Sequence, residues 1–192
     1  MTTTTINAGT STSGVSMTSG NDGTLTIQTG TTAGSQVTAL SIDAAGHVAM
    51  PQSLVTFSAY QSSAQSVPTA TLTKMQIQTK EFDVGSYFDN TTNYRFTPLV
   101  PGYYKISGAV YFSNNAATVV CSIFKNGSDF KRGSMSGQIA SAGQGSSVSA
   151  LVYFNGTTDY VELYGQQSSG SSLNTIAGTQ YVYFQGILIA KA

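Results

Sequence analysis

The stretch from Phe96 to Phe112, FTPLVPGYYKISGAVYF, limits the fold of this chain more than any other part of the sequence. Pro98, Pro101 and Gly102 predict a turn, and the residues after it alternate in a strand pattern. One face of this strand carries Tyr104, Ile106, Gly108, Val110 and Phe112. The other carries Tyr103, Lys105, Ser107, Ala109 and Tyr111. Such a strand suits a sheet that buries one face and offers the other to a neighbour, so we predict the central strand of the fold.

Charge is unusually scarce in this chain. Only 8% of the 192 residues are charged, against about 25% in ordinary globular proteins, and the formal net charge is zero. Because the sequence has no basic stripe and no Lys/Arg run, we expect neither nucleic acid nor an anionic membrane as a partner. The 40% hydrophobic content allows one sizeable core.

The N-terminus, MTTTTINAGTSTSG, has neither the basic nor the apolar region of a signal peptide. No apolar run approaches the roughly 20 residues that a membrane helix needs. We therefore expect synthesis in a cytosol. The single cysteine, Cys121, excludes an intramolecular disulfide, and its apolar neighbours predict a buried structural thiol.

Residues 1–52 form a segment without aromatic residues, rich in Thr, Ser, Gly and Ala. Short alternating runs place Leu25 with Ile27 on one face, and Leu40 with Ile42 on another. Strands this short cannot bury enough surface alone, so we expect pairing between chains around a threefold axis, or contact with a larger partner. We interpret the segment as a β-rich or extended attachment arm with these four residues as its anchor.

Residues 53–192 show a succession of short strands and no convincing amphipathic helix, which predicts an all-β sandwich or jelly roll. Asn126-Gly127 is the strongest hairpin signal. The predicted strands span 54–60, 73–78, 86–88, 94–98, 102–113, 118–127, 129–134, 146–154, 159–167 and 180–190.

Motifs distributed through residues 53–192 agree in order and spacing with one family. They are Phe57-Ser58-Ala59, Tyr87, Phe96-Thr97, Pro101-Gly102-Tyr103-Tyr104, Asn126-Gly127, Tyr160-Val161-Glu162-Leu163 and Phe184-Gln185-Gly186-Ile187-Leu188. In these residues the chain resembles the globular C1q domain of the C1q/TNF superfamily. The resemblance implies a ten-stranded jelly roll that assembles as a homotrimer. The chain lacks the Asp/Glu cluster that binds calcium in some members of this family, so we expect no metal or cofactor. It also lacks the Gly-X-Y collagen stalk that other members carry.

Several strands are apolar on both faces, including the last one, and one sandwich core cannot hide that much apolar surface. We expect a trimer interface to bury the remainder. The candidate interface residues are Tyr103, Tyr111, Tyr160, Tyr164, Tyr181 and Tyr183.

The segment LSIDAAGHVAM resembles the Ile-Asp-x-x-Gly-x-Val phrases of bacteriophage tail fibres and other phage structural proteins. Together with low charge and cytosolic synthesis, it favours a virion surface protein. The arm would attach to capsid or tail, and the knob would face outward, with a host-surface glycan or protein as a further partner. Capsid decoration, head fibre and tail-fibre tip all fit this pattern.

Candidate chemistry is sparse, and we expect no enzyme. Glu81 and Asp83 would share a strand face at roughly 7 Å, which suits glycoside hydrolysis, although solvated loop charges explain them as well. His47, the only histidine, is far in sequence from Cys121. It is either a surface turn residue or a metal ligand on a threefold axis. The alternatives are a polysaccharide-depolymerising spike and a cellular C1q-like lectin or ligand.

Overall fold

The computed structural model describes residues 14–19, 23–30, 37–49, 55–113, 118–137 and 143–192. All regular structure in these residues is β-strand. No helix among them is long and apolar enough to cross a membrane. The chain divides after residue 54 into two compact units.

The N-terminal unit is a four-stranded antiparallel sheet in the order β1-β2-β3-β4. Its strands are β1 (Gly14–Ser19), β2 (Leu25–Gly30), β3 (Val37–Ile42) and β4 (Val48–Ala49). Leu25 pairs with Ile42 and Ile27 with Leu40, so the predicted apolar runs lie opposite each other. This pairing lies within one chain, and the predicted pairing between chains or contact with a larger partner stays a prediction.

Asp43 closes the turn between β3 and β4. Its Oδ1 atom accepts hydrogen bonds from the backbone amides of Ala45 and His47, both 2.9 Å long. Its Oδ2 atom lies 2.8 Å from Nδ1 of His47, and that side-chain hydrogen bond lowers the pKa of Asp43. Gly46 has a φ of 85°, which glycine adopts without strain. The Ile-Asp-x-x-Gly-x-Val phrase is therefore a hairpin turn.

The second unit, Val55–Ala192, holds the remaining strands. They are β5 (Thr56–Tyr60), β6 (Ser66–Val67), β7 (Thr73–Lys74), β8 (Thr79–Val84), β9 (Phe88–Asp89), β10 (Arg95–Phe96), β11 (Gly102–Phe112), β12 (Thr118–Lys125), β13 (Ser128–Arg132), β14 (Ser136–Gly137), β15 (Gln144–Phe154), β16 (Val161–Gln167), β17 (Leu173–Asn174) and β18 (Tyr183–Lys191). We call this unit the knob.

Two sheets of the knob pack face to face as a jelly-roll sandwich. The five-stranded sheet has the order β15-β11-β18-β5-β8. The seven-stranded sheet has the order β13-β12-β16-β10-β9, with β14 paired to β12 and β7 to β16. The predicted apolar face of β11 is buried, since Tyr104, Ile106 and Val110 are fully inaccessible. However, β18 and not β11 is the middle strand, because the last strand of the chain inserts between β11 and β5.

Phe57 joins the two sheets at the centre of the core. Its ring lies 4.3 Å from that of Phe96 and 5.0 Å from that of Phe88, both in the seven-stranded sheet. The ring of Phe184, in its own sheet, lies edge-on at 5.3 Å. Aromatic pairs in these geometries contribute beyond their buried area, so this cluster fixes the spacing of the sandwich.

Cys121 lies where the sheets approach closely. Its thiol donates a hydrogen bond to the carbonyl of Gly108 over 3.7 Å, and a side chain at position 108 would collide with Leu163. The cysteine is fully buried, and this burial raises the pKa of its thiol. The predicted structural thiol is confirmed.

Several strand predictions were wrong in extent, including 94–98, where β10 covers only Arg95–Phe96. The predicted strand 73–78 ends at Lys74, although Met75 and Ile77 beyond it are buried. Side chains supply there the hydrogen bonds that a neighbouring strand would make. Oε1 of Gln65 accepts a hydrogen bond from the backbone amide of Gln76. The carbonyl of Gln76 accepts a hydrogen bond from Nε2 of Gln61. In addition, β8 was not predicted, because it is a charged edge strand interrupted by a bulge.

The Asn126-Gly127 hairpin between β12 and β13 is confirmed. Both residues have positive φ, at 51° and 78°. Asp159 ties this hairpin to the start of β16, accepting a 2.8 Å hydrogen bond from Nδ2 of Asn126 and lying 3.0 Å from Nζ of Lys125. Burial raises the pKa of Asp159, but the hydrogen bonds from Asn126, Lys125 and the amide of Asn155, together with the charge of Lys125, lower it by more, so the net shift is downward.

Replacing Phe57 with alanine should lower the free energy of unfolding by about 3–5 kcal/mol, because a fully buried ring is removed from the join between the sheets. Phe130→Ala is the matched control, since that ring is on the exposed β13 strand. The control should change stability by only about 0.5 kcal/mol. Urea denaturation at one fixed protein concentration measures both. Equal losses in the two variants would contradict the central role of Phe57.

Replacing Asp159 with asparagine should destabilise the knob at neutral pH and matter less in acid. Because the folded pKa is lowered, the stabilisation is present above the unfolded pKa of about 4 and is lost as pH falls through the folded value. Unfolding free energies of the wild type and Asp159→Asn should therefore converge below about pH 4. A difference that stays constant from pH 7 to pH 2 would assign the effect to shape and not to charge.

Candidate functional site

The outward face of the five-stranded sheet is the candidate site, and we call it the exposed sheet face. Strand alternation places on it the residues of β11 that point away from the core. The outward residues of its five strands include Thr56, Ser58, Tyr60, Phe82, Val84, Tyr103, Lys105, Ser107, Tyr111, Leu151, Tyr153, Tyr183, Gln185, Ile187 and Ile189.

One end of this face is apolar. Tyr103 pairs with Tyr153 across β11 and β15, with ring centroids 5.5 Å apart and about half of each side chain exposed. Leu151 is 67% exposed and Ile189 is 58% exposed. On β18 the inward Phe184 is buried and Leu188 is partly buried, so this strand is apolar on both faces, as the sequence predicted. A monomeric surface rarely leaves such a group of large apolar side chains in water.

The opposite end is lined by tyrosines. The rings of Tyr111 and Tyr181 are 5.6 Å apart. Tyr183 pairs with Tyr60 on β5. Gly145 makes room for the Tyr111 ring, since a side chain at position 145 would overlap the ring atoms. This end combines apolar area with hydroxyl groups, a mixture that is enriched in protein interfaces.

Between these ends the face forms a shallow groove of about 310 Å³ that is lined by both apolar and polar residues. Its lining includes Lys105, Ser107 and Gln185 on one side and Phe82 on the other. Nε2 of Gln185 donates to Oγ of Ser107 over 3.2 Å, which leaves the serine hydroxyl hydrogen free to donate. Together with the ammonium of Lys105, these groups suit an anionic or carbonyl oxygen.

The structure separates the six tyrosines that were predicted as interface residues. Four lie on the exposed sheet face or at its end: Tyr103, Tyr111, Tyr181 and Tyr183. Tyr164 belongs to the other sheet and stacks on Phe124 with centroids 3.7 Å apart. Tyr160 holds the guanidinium of Arg95 4.5 Å above its ring. The six therefore do not form one surface, because outward alternation does not reveal which sheet a strand joins.

Sequence reasoning missed Leu151 and Tyr153. A usable signal was present, since they alternate with the buried Val152 and Phe154, and the end of β15 is therefore apolar on both sides. Phe82 was missed with the rest of β8.

A β-bulge separates Glu81 from Asp83. In the pairing of β8 with β5, residue 81 is the extra residue, which resets the alternation of the strand. Glu81 therefore stays on the exposed sheet face, where Oγ of Ser58 donates to its Oε2 atom over 2.6 Å. The side chain of Asp83 is on the opposite face of the strand, where its carboxylate accepts hydrogen bonds from the backbone amides of Tyr87 and Phe88. The prediction that both carboxylates share a strand face was wrong.

No metal-binding group is present in the part of the chain that the structure describes: no three His, Cys, Asp or Glu residues come together there. His47 lies in the exposed turn after β3, bound to Asp43. This agrees with the predicted surface turn residue, and the metal ligand on a threefold axis stays a prediction.

Solved structures that share this architecture include TNF-like and C1q-like globular domains and a phage vertex protein. Eiger TNF from S. frugiperda superposes with a TM-score of 0.58 at 8% identity, covering 72% of this chain and 94% of that one. The globular domain of zebrafish complement 1qA gives 0.55 at 15% identity, over 72% and 98%. The PRD1 vertex protein P5 gives 0.50 at 15% identity, over 71% and 96%.

These similarities confirm the predicted all-β, C1q/TNF-like jelly-roll fold. At such low identities they establish the fold alone. No protein-family model and no curated protein sequence matches the chain.

Proposed function

We propose that this chain is a structural protein of a bacteriophage surface, in which the knob assembles as a homotrimer and residues 1–52 attach it to the capsid or tail. It acts as a decoration protein, head fibre or fibre tip, and the knob offers a surface for adhesion to a host glycan or protein. The chain is synthesised in the host cytoplasm and functions on the virion without a cofactor.

The exposed sheet face is the observation that carries the homotrimer. Leu151, Ile187 and Ile189 extend into water from a sheet that is already covered on its other side. Burial of apolar area favours association by about 25 cal/mol per Å², and a face with different residues at its two ends suits a head-to-tail ring. The family that the sequence resembles supports three copies in that ring.

Two observations support the virion. One structure with this fold is a vertex protein of PRD1, and the zebrafish and insect domains show that the fold also serves elsewhere. The Ile-Asp-x-x-Gly-x-Val turn at residues 42–48, together with the scarcity of charge, favours the phage setting over the cellular one.

The N-terminal sheet supports an attachment role. Among residues 23–28 and 37–49 none is buried, so the apolar pairs Leu25 with Ile42 and Ile27 with Leu40 remain partly exposed. A sheet with an apolar face is stabilised when that face is removed from water. A capsid or tail protein would supply that cover.

A binding role is also favoured over catalysis. Glu81 and Asp83 lie on opposite sides of their strand, so they do not form the facing carboxylate pair of a glycosidase. The thiol of Cys121 is buried and its pKa is raised, which disfavours a nucleophile.

Replacing Leu151 with lysine should convert the trimer to folded monomers, because a charge would enter the buried interface. Leu99→Lys is the matched control: Leu99 is similarly exposed, at 58%, but lies in the loop before β11. Sedimentation equilibrium should give three chain masses for the wild type and the control, and one for Leu151→Lys. A wild type that sediments as one chain at every concentration would end the homotrimer proposal.

Replacing Leu40 with lysine should abolish attachment to particles while the knob remains trimeric, because the charge falls on the apolar side of the N-terminal sheet. Ser41→Lys places the same charge on the opposite side of β3 and should still attach. Attachment is measured by adding each purified variant to particles that lack the protein and counting bound copies by antibody labelling. Wild-type binding by Leu40→Lys would remove the anchor role.

The position of the label on wild-type particles then separates the two structural roles. Label over the shell identifies a decoration or head-fibre protein, and label at the tail identifies a fibre tip. Absence from particles would overturn the virion proposal and favour a cellular C1q-like ligand.

A further inference from the structure

Most described charges of the knob are already compensated within the chain. Four carboxylates pair with cations: Asp83 with Lys80, Asp129 with Arg132, Asp159 with Lys125 and Glu162 with Lys74. Asp89 instead accepts the backbone amides of its own turn. Arg95 and Lys131 lie over aromatic rings.

Lys105 and Glu81 are exceptions to this compensation. Among the residues that the structure describes, Lys105 has no carboxylate within ion-pair distance and no aromatic ring beneath it. Glu81 receives the hydroxyl of Ser58 on its Oε2 atom, and no described residue donates to its Oε1 atom. Both side chains are on the exposed sheet face.

The two residues are too far apart to pair within one chain. Lys105 is on β11 and Glu81 is on the edge strand β8, with β18 and β5 between them. Three strand spacings amount to about 14 Å, and the register aligns Lys105 with Val84, so Glu81 is also displaced along its strand by about 7 Å. The face therefore presents a cation towards one side and an anion at the other edge.

The groove beside Lys105 fits a carboxylate. Its donors are the ammonium of Lys105 and the hydroxyl of Ser107. The oxygen of that hydroxyl already accepts a hydrogen bond from Nε2 of Gln185, so its hydrogen remains to be donated. Such charge-assisted hydrogen bonds are the stronger ones in proteins. A second copy of this chain carries a suitable carboxylate at the edge of the same sheet, and a head-to-tail contact joins two different patches of the surface, such as that edge and the β11 side of a neighbour.

We propose that Glu81 of one copy enters the groove of the next and forms an ion pair with Lys105, repeated at each interface of the ring. This inference rests on the homotrimer proposed above. The pair would fix the register in which two largely uncharged faces meet, because any other register would bury one charge without a partner.

Charge reversal tests the pair. Lys105→Glu and Glu81→Lys should each weaken association about tenfold or more, and the double variant should return to within a few-fold of the wild type. Lys131→Glu, which changes an exposed charge on β13, is the control and should associate normally. Association constants come from sedimentation equilibrium of the full chain.

Carbodiimide coupling supplies a second measurement that does not depend on reversed charges. This reagent joins an amine and a carboxylate in contact through an amide bond, with loss of water. Treatment of the wild type should yield covalent trimers with Lys105 joined to Glu81, and Glu81→Gln should abolish that peptide.

The outcomes separate this inference from the homotrimer itself. A wild-type trimer whose reversed double variant stays weak, and which yields no joined peptide, overturns the ion pair and leaves the trimer standing. A wild type that is monomeric overturns both. Rescue together with the joined peptide supports the pair.

Discussion

The five-stranded sheet has large apolar side chains on both of its faces, and the sandwich can cover only one. Phe57 and its aromatic neighbours fill the space between the two sheets, so the core of one knob is complete without the outward residues. Leu151 and Ile189 are then left in water. The proposed association of knobs follows from this exposed apolar surface, because the hydrophobic effect favours any arrangement of copies that buries it.

The fold was largely predictable because its strongest signals are local. Strict alternation in β11 and the positive φ required at Asn126 and Gly127 are properties of a few consecutive residues. The order of strands in a sheet depends instead on contacts far apart in sequence. That is why β18, near the end of the chain, occupies the middle position that was predicted for β11.

The candidate site was harder to predict, for two physical reasons. A bulge at Glu81 resets the alternation of β8, and nothing in the sequence TKEFDV indicates where the extra residue falls. Tyr160, just before β16, and Tyr164, on β16, fit the same outward pattern as the tyrosines of β11, yet Arg95 and Phe124 already pack against them. Alternation predicts which side of the sheet a residue faces, but not which other side chains already pack on that side.

Apolar area and charge have different roles on the exposed sheet face. Apolar contacts are strong but poorly directional, so a face built from Tyr103, Leu151 and Ile189 alone would tolerate several registers. A charge in such a face is costly to bury unless an opposite charge pairs with it. Every register of association except the one that forms this pair is therefore disfavoured. Lys105 lies in the same cross-strand row as Leu151 and Ile187. A lysine in that position weakens association in general, and it is therefore best explained as a residue that selects the geometry of association.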